Sequence, residues 1–263
     1  FNNVWKTVAD DYPTIEIRGV QCWDGSKDSD LDGSGTVDDP YLIETPEQLA
    51  YVVSTDLTDG LHFKLVNDIK INDTSTPDWK LSARNWVWAD VRFVGTFDGD
   101  GHTIDGLYYN GNQWKRALFS YIGGNGTAIK NIKFTNASIN TTYSGDGGAG
   151  ILAAQLSDSA DISYIYVDET CEINAPNARG VAAIAPWCAN TGTAVSIDNC
   201  AVMANIVGKG LTGAFIGSIW TGNRVVTNCF TASNVPMSGN ESLTNPQNNY
   251  ALVADTTESG TTI

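Results

Sequence analysis

Asp28, Asp30, Asp32 and Asp39 stand at positions 1, 3, 5 and 12 of the run Asp28-Ser29-Asp30-Leu31-Asp32-Gly33-Ser34-Gly35-Thr36-Val37-Asp38-Asp39, with Gly33 at position 6. Alternate carboxylates folding around a glycine turn are the donor set of an EF-hand-type calcium loop, because calcium collects roughly six to eight oxygens. The run departs from that pattern at Gly35, where an apolar residue is usual, and at Asp39, which replaces a bidentate Glu. No flanking helices are apparent. Two readings stand: a calcium loop, calcium being the one cofactor in view, and a solvated acidic turn.

A second chemistry lies in the tryptophans: Trp5, Trp23, Trp79, Trp86, Trp88, Trp114, Trp187 and Trp220. Trp79, Trp86, Trp88 and Trp114 fall in polar segments, where an indole either stacks on a sugar ring or covers a core edge while keeping one polar handle. Trp86 and Trp88 share one side of an extended strand and form the best two-ring candidate for a glycan platform.

Hydrolytic chemistry finds less. Asp98, Asp100 and Asp105 cluster around Gly-rich turns, as acids do on the ridges of β-helical polysaccharide enzymes, but Asp and Gly also serve backbone geometry there. His62 and His102 are far apart, and neither HExxH nor GxSxG occurs. No catalytic residue is assigned. Cys22, Cys171, Cys188, Cys200 and Cys229 lack CxxC spacing, which argues against zinc and for buried thiols that pack as small hydrophobes. Asn-x-Ser/Thr triplets begin at Asn72, Asn125, Asn136, Asn140 and Asn240 and matter only where the host glycosylates them.

The elements that must position these residues announce themselves as a repeat. Ile104-Asp105-Gly106-Leu107, Ile129-Lys130-Asn131-Ile132, Ile162-Ser163-Tyr164-Ile165, Ile197-Asp198-Asn199-Cys200 and Val226-Thr227-Asn228-Cys229 align on a bend residue. The first and fourth residues of each are apolar, which strict alternation along a strand forbids. A left-handed third residue resolves this, and Gly and Asn tolerate that conformation, with Tyr164 the exception. A repeat this short must stack on its neighbours to bury its apolar face, which predicts an all-β, right-handed parallel β-helix. Gly106, Asn131, Asn199 and Asn228 are expected in one corner column, their amides able to bond along the axis, with Ile132, Ile165, Cys200 and Cys229 stacked inside. Cys200 and Cys229 then face one way on adjacent coils and stay thiols.

The segments Gly35-Thr36-Val37-Asp38-Asp39-Pro40-Tyr41-Leu42-Ile43, Thr45-Pro46-Glu47-Gln48-Leu49, Phe63-Lys64-Leu65-Val66-Asn67-Asp68-Ile69 and Phe97-Asp98-Gly99-Asp100-Gly101-His102-Thr103-Ile104 carry a resemblance. Over residues 33 to 235 the chain resembles the GLUG-type repeat proteins of bacterial surfaces, which also occur near the N-termini of immunoglobulin-A-cleaving metallopeptidases. The family's Gly-Leu-apolar-Gly is nowhere kept cleanly; Gly213-Ala214-Phe215-Ile216-Gly217 comes nearest. The resemblance implies a right-handed β-helix on a cell surface, one module of a longer chain.

Residues 1–20 are accordingly expected to close a preceding unit or cap the start, with Trp5 and Tyr12-Pro13-Thr14-Ile15 as a strand. Residues 21–235 form the β-helix, and 236–263 close it or begin the next unit, with Asn248-Asn249-Tyr250-Ala251-Leu252 as a last strand. Thr45 to Val53 predicts a short N-terminal capping helix, with Thr45 as N-cap, Pro46 at N1, Gln48 in capping-box spacing, and Leu49, Val52 and Val53 on its apolar face.

Thirty acids against fifteen bases give a net charge of -15, which repels phosphate backbones and anionic membranes. No segment predicts a membrane span. Nucleic acid and membrane insertion are therefore not expected; glycans or host and extracellular-matrix ligands are. Two function classes follow: a non-catalytic extracellular adhesin or stalk module, and a β-helical carbohydrate-active enzyme, either lyase or glycoside hydrolase.

Overall fold

The computed structural model describes residues 3–6, 14–17, 21–189, 195–221, 224–239, 244–247 and 250–251. The chain is a parallel β-solenoid of about five turns. One turn shows the plan: Ala128–Thr135 bends at Asn131, Ser138–Thr141 follows a second corner, then come Gly145–Ala149 and Ala153–Ser157, and Asp161–Val167 pairs in parallel with Ala128–Thr135. Phe63, Phe97, Ile129, Ile162, Ile197 and Val226 form one column, so successive turns are 34, 32, 33, 35 and 29 residues long.

Stacking is what makes these strands stable. Ile132, Ile165, Cys200 and Cys229 form a second inward column, and Ile139, Ile173 and Ile206 a third, all essentially without solvent exposure. Each buried Ile contributes roughly 1.5–3 kcal/mol that an isolated turn would forfeit. At the corner outside these columns Asn131, Tyr164, Asn199 and Asn228 all take positive φ, at 60, 53, 51 and 52°. The bend inferred from the apolar spacing is present, and Tyr164 adopts it despite its bulk.

Gly106 does not belong to that column. Ile104 pairs with Phe134 and Asp105 with Thr135, which places Gly106 beside Asn136, whose φ is 50°. The residue in register with Ile129 is Phe97, and the turn after it passes through Asp100 at φ 51°. The turns that begin at Phe97 and Ile129 thus have two left-handed corners, at Asp100 and Gly106 and at Asn131 and Asn136, and Gly106 marks the second of them rather than the first.

Among the described residues the corner asparagines bond aspartates rather than one another. Asn131 Nδ2 donates to Asp98 Oδ1 on the preceding turn at 2.9 Å, Asn136 Nδ2 to Asp105 Oδ1 at 2.8 Å, and Asn228 Nδ2 to Asp198 Oδ1 at 2.8 Å. An amide ladder does exist, on the face formed by Tyr108–Gly111, Ser138–Thr141, Glu172–Ala175 and Asn205–Gly208. There Asn174 donates to Asn140 and Asn140 to Asn110, at 3.3 and 3.2 Å.

Both outer strands of that face are closed by a side chain that imitates a peptide unit. Asn85 accepts from the Asn110 N–H and donates to its carbonyl, at 2.7 and 3.1 Å. Asn234 does the same for Ile206, at 2.8 and 2.9 Å. Backbone groups that an exposed edge would leave open are thereby satisfied.

The capping helix runs Pro46–Ser54 with its capping box complete: Thr45 Oγ1 accepts from the Gln48 N–H at 3.3 Å, and Gln48 Oε1 accepts from the Thr45 N–H at 3.3 Å. Leu49, Val52 and Val53 join the core beside Tyr41–Ile43, the last strand of the longest sheet. Asn3–Lys6 and Thr14–Ile17 pair antiparallel in a sheet of their own. Thr244–Gln247 and Tyr250–Ala251 extend the longest sheet in parallel. Tyr12, Pro13, Asn240, Asn248, Asn249 and Leu252 lie outside the described residues.

Candidate ligand-binding face

The acidic run folds as a docked turn. Asp28 Oδ1 accepts from the Asp30 N–H at 2.9 Å, the Asp39 carbonyl accepts from the N–H groups of Ser34 and Thr36, and Leu42 N–H donates to the Asp32 carbonyl. Gln48 Nε2 donates to the Asp30 carbonyl at 2.6 Å, fastening the turn to the capping helix. Gly33 is required by geometry: its φ is 97°, and a Cβ would lie 2.2 Å from the Pro40 oxygen. All four aspartates are exposed, and among the described residues no three His, Cys, Asp or Glu side chains converge as metal ligands.

Structure separates the four tryptophans. Trp79 is buried edge-on against Tyr108 at 5.7 Å, and Trp86 is buried against Trp23 at 4.7 Å, so Trp86 shares no open side with Trp88. Trp88 is half-buried, and one face of its ring is covered by the Arg116 guanidinium at 4.7 Å. Trp114 alone of the four is exposed, at 44%. The side chains of Trp5 and Trp220 lie outside the described residues.

Carboxylates on the Gly-rich ridge are committed to structure. Asp98 accepts from Asn131 and pairs with Lys130 at 3.2 Å; Asp105 accepts from Thr74, Thr135 and Asn136; Asp100 pairs with Lys64 at 3.0 Å. Partial burial pushes the Asp98 carboxyl up, but the Asn131, Asp100 and Lys130 hydrogen bonds together outweigh it and hold Asp98 below the ordinary aspartate value. That is opposite to the raised value a general acid needs. The cysteines are thiols. Burial pushes Cys171 up to about 12 and Cys188 to about 11. A hydrogen bond to the stacked Cys229, and burial, raise Cys200 as well. These thiols stay protonated and poorly nucleophilic at neutral pH.

What the structure assembles instead is an aromatic–cation cluster around the connection 111–118. Arg116, 7% exposed, lies between Trp88 and Tyr109, with its carbon 4.7 and 4.8 Å from the two ring centres. Its Nη2 donates to Gln113 Oε1, while Nε and Nη1 are buried with no hydrogen-bond partner among the described residues. Lys115, at a left-handed φ of 53°, holds its ammonium 4.2 Å from the ring centres of both Trp114 and Tyr121 and donates to the Tyr121 hydroxyl. Partial burial lowers the Lys115 pKa, and Asp90 opposes that only in part. Arg92 stands beside Tyr121 in the neighbouring strand. The tethers of the connection are mainly backbone atoms: Gln113 N–H donates to the Tyr109 hydroxyl at 2.9 Å, and Thr141 Oγ1 to the Gln113 carbonyl at 3.3 Å.

Sequence reading found Trp114 and Trp88 here but missed Lys115, Arg116, Tyr109 and Tyr121. One signal was available: Lys115-Arg116 is the only pair of adjacent basic residues in an acidic chain.

No protein-family model matches the chain. Over 107 residues it is 36% identical to a protein of Evansella cellulosilytica named "Putative Gly-rich membrane protein", covering 39% of this chain and 12% of that one. Over 123 residues it is 32% identical to halomucin of Haloquadratum walsbyi, covering 45% of this chain and 1% of that one. The chain therefore spans only a small part of either relative's length. Among solved structures, the crystal structure of a "putative immunoglobulin A1 protease" from Bacteroides ovatus matches with a TM-score of 0.53 over 76% of this chain and 59% of that one. At 23% identity this likeness is one of fold. Among the described residues no helix is long and apolar enough to cross a membrane.

Proposed function

We propose that this chain is a non-catalytic, extracellular module of a larger surface protein, of the GLUG-repeat kind, and that it binds saccharides at the face around Trp114. The observation that carries the reading is the exposed Trp114 ring set beside polar and cationic side chains on a stiff β-solenoid, the arrangement that stacks on one face of a sugar and holds its hydroxyls. Halomucin and the Evansella membrane protein, named in those words, support a surface setting. Adhesion and a stalk role follow from the same setting: a stack of turns holds a side face at a fixed distance from its anchor.

Incubating the chain and its Trp114→Ala variant on a glycan array, with a reducing-sugar assay on the same glycans, tests this. The expected result is binding that Trp114→Ala removes, with no sugar released. Release of product would replace this reading with a carbohydrate-active enzyme.

A further inference from the structure

We propose that the face around Trp114 recognises a carboxylate-bearing saccharide, with Lys115 and Arg116 as a two-point clamp on the carboxylate and Trp114 stacked on the ring that carries it. The proposal rests on the saccharide-binding reading above and adds its charge class. In a chain of net charge -15, Arg92, Lys115 and Arg116 gather here, and neither Lys115 nor Arg116 forms an ion pair among the described residues. A buried guanidinium is ordinarily matched by a carboxylate, because a charge taken out of water is costly unless paired. Arg116 instead has two aromatic faces, one neutral acceptor in Gln113, and two N–H groups with no acceptor among the described residues.

Gln113 is what makes the clamp reachable. Its side chain is exposed, whereas the residue is held through its backbone, so its amide can swing away from Arg116 Nη2 without unseating the connection. A ligand carboxylate then takes that place with a charge-assisted bond, roughly twice as strong as the neutral one it replaces. Lys115 adds the second point: its left-handed backbone aims the ammonium over Trp114 rather than into solvent. Non-glycine residues adopt that conformation at a cost, and here it sets a cation beside the stacking ring.

Calorimetric titration of the whole chain with tetragalacturonate and with its methyl ester, at low and high salt, tests the proposal, since esterification removes the charge and keeps the rings. The acid is expected to bind at least about tenfold more tightly than the ester at low salt, the difference made by one hydrogen bond to a charged group. High salt should erase most of that preference. Lys115→Gly, which suits the left-handed backbone while giving up the contacts to Trp114 and Tyr121, should lose the preference while keeping the wild-type circular dichroism spectrum; Trp114→Ala should weaken acid and ester alike. Gln113→Ala, which removes the competing amide, should tighten the acid severalfold and leave the ester unchanged. Equal binding of acid and ester would overturn this proposal and leave saccharide binding standing; binding of neither would overturn both. An acid preference that survives Lys115→Gly with no response to Gln113→Ala would place the clamp elsewhere and overturn the assignment.

Discussion

Asp98 accepts the side-chain amide of Asn131 from the next turn, and the same relationship recurs between Asp105 and Asn136 and between Asp198 and Asn228. The residue before the corner asparagine donates or pairs to the same carboxylate each time: Lys130 to Asp98, Thr135 to Asp105, Thr227 to Asp198. Much of the acidity along this ridge is thus committed to joining turns.

The first prediction concerns acid. Asp98 is held below the ordinary aspartate value in the folded chain, so its contribution to stability is complete above the unfolded value of roughly 3.9 and is lost as pH falls through the folded value. Asp98→Asn should lower the melting temperature near neutral pH and flatten its decline in acid. Parallel decline of wild type and variant, measured by circular dichroism, would refute this.

Tyr164 offers a test of strain. It is 58% exposed, yet sits at φ 53° in a column otherwise filled by asparagine. Tyr164→Asn should relieve roughly 1 kcal/mol and raise the melting temperature by about 2–4 °C. A drop on calorimetric melting would show that the ring packs in a way its exposure does not suggest.

The acidic turn should owe its order to the capping helix. Gln48→Ala removes both the capping-box return and the bond to the Asp30 carbonyl, and should cost about 1–2 kcal/mol by denaturant titration. Melting in calcium and in chelator separates the two readings of the turn: a solvated acidic turn predicts that the two coincide for the wild type and for Asp30→Ala/Asp32→Ala. A calcium-dependent rise present only in the wild type would assign a cation to the turn after all.

Thiol labelling provides a check on the core. Cys171 and Cys188, with values near 12 and 11 and almost no exposure, should resist iodoacetamide at mildly alkaline pH until denaturant is added. Intact mass should also show no bond between Cys200 and Cys229, whose register places them in one column on adjacent turns. Rapid native labelling, or a mass two hydrogens short, would contradict the packing described.

The bend motif made the solenoid legible because apolar residues at its first and fourth positions have no other economical explanation. It also misled once. Ile129-Lys130-Asn131-Ile132 and Phe134-Thr135-Asn136-Ala137 both place a left-handed asparagine between buried residues, so the motif alone does not say which corner it marks. The step of 25 from Ile104 to Ile129, against a true turn of 32 from Phe97, carried the warning. Trp88 and Arg116, 28 residues apart, meet only because separate segments are stacked, and no periodicity along one segment reports a ring that lies across from another. The same holds for Asn85 and Asn234, whose targets, Asn110 and Ile206, are 25 and 28 residues away.

Those two asparagines have a consequence for growth. Parallel, in-register strands stacked at about 4.8 Å are also how a cross-β fibril is built, and a fibril lengthens by recruiting a new strand to each open end. On the amide-ladder face the peptide groups of Asn110 and Ile206, one on each outer strand, are already filled by side chains of the chain itself, so an incoming strand meets an interrupted row rather than an open template. Asn85→Ala/Asn234→Ala should therefore make light scattering climb more steeply with concentration than it does for the wild type. A double variant that scatters like wild type would mean that the capping helix and the chain beyond each end suffice to keep the stack finite.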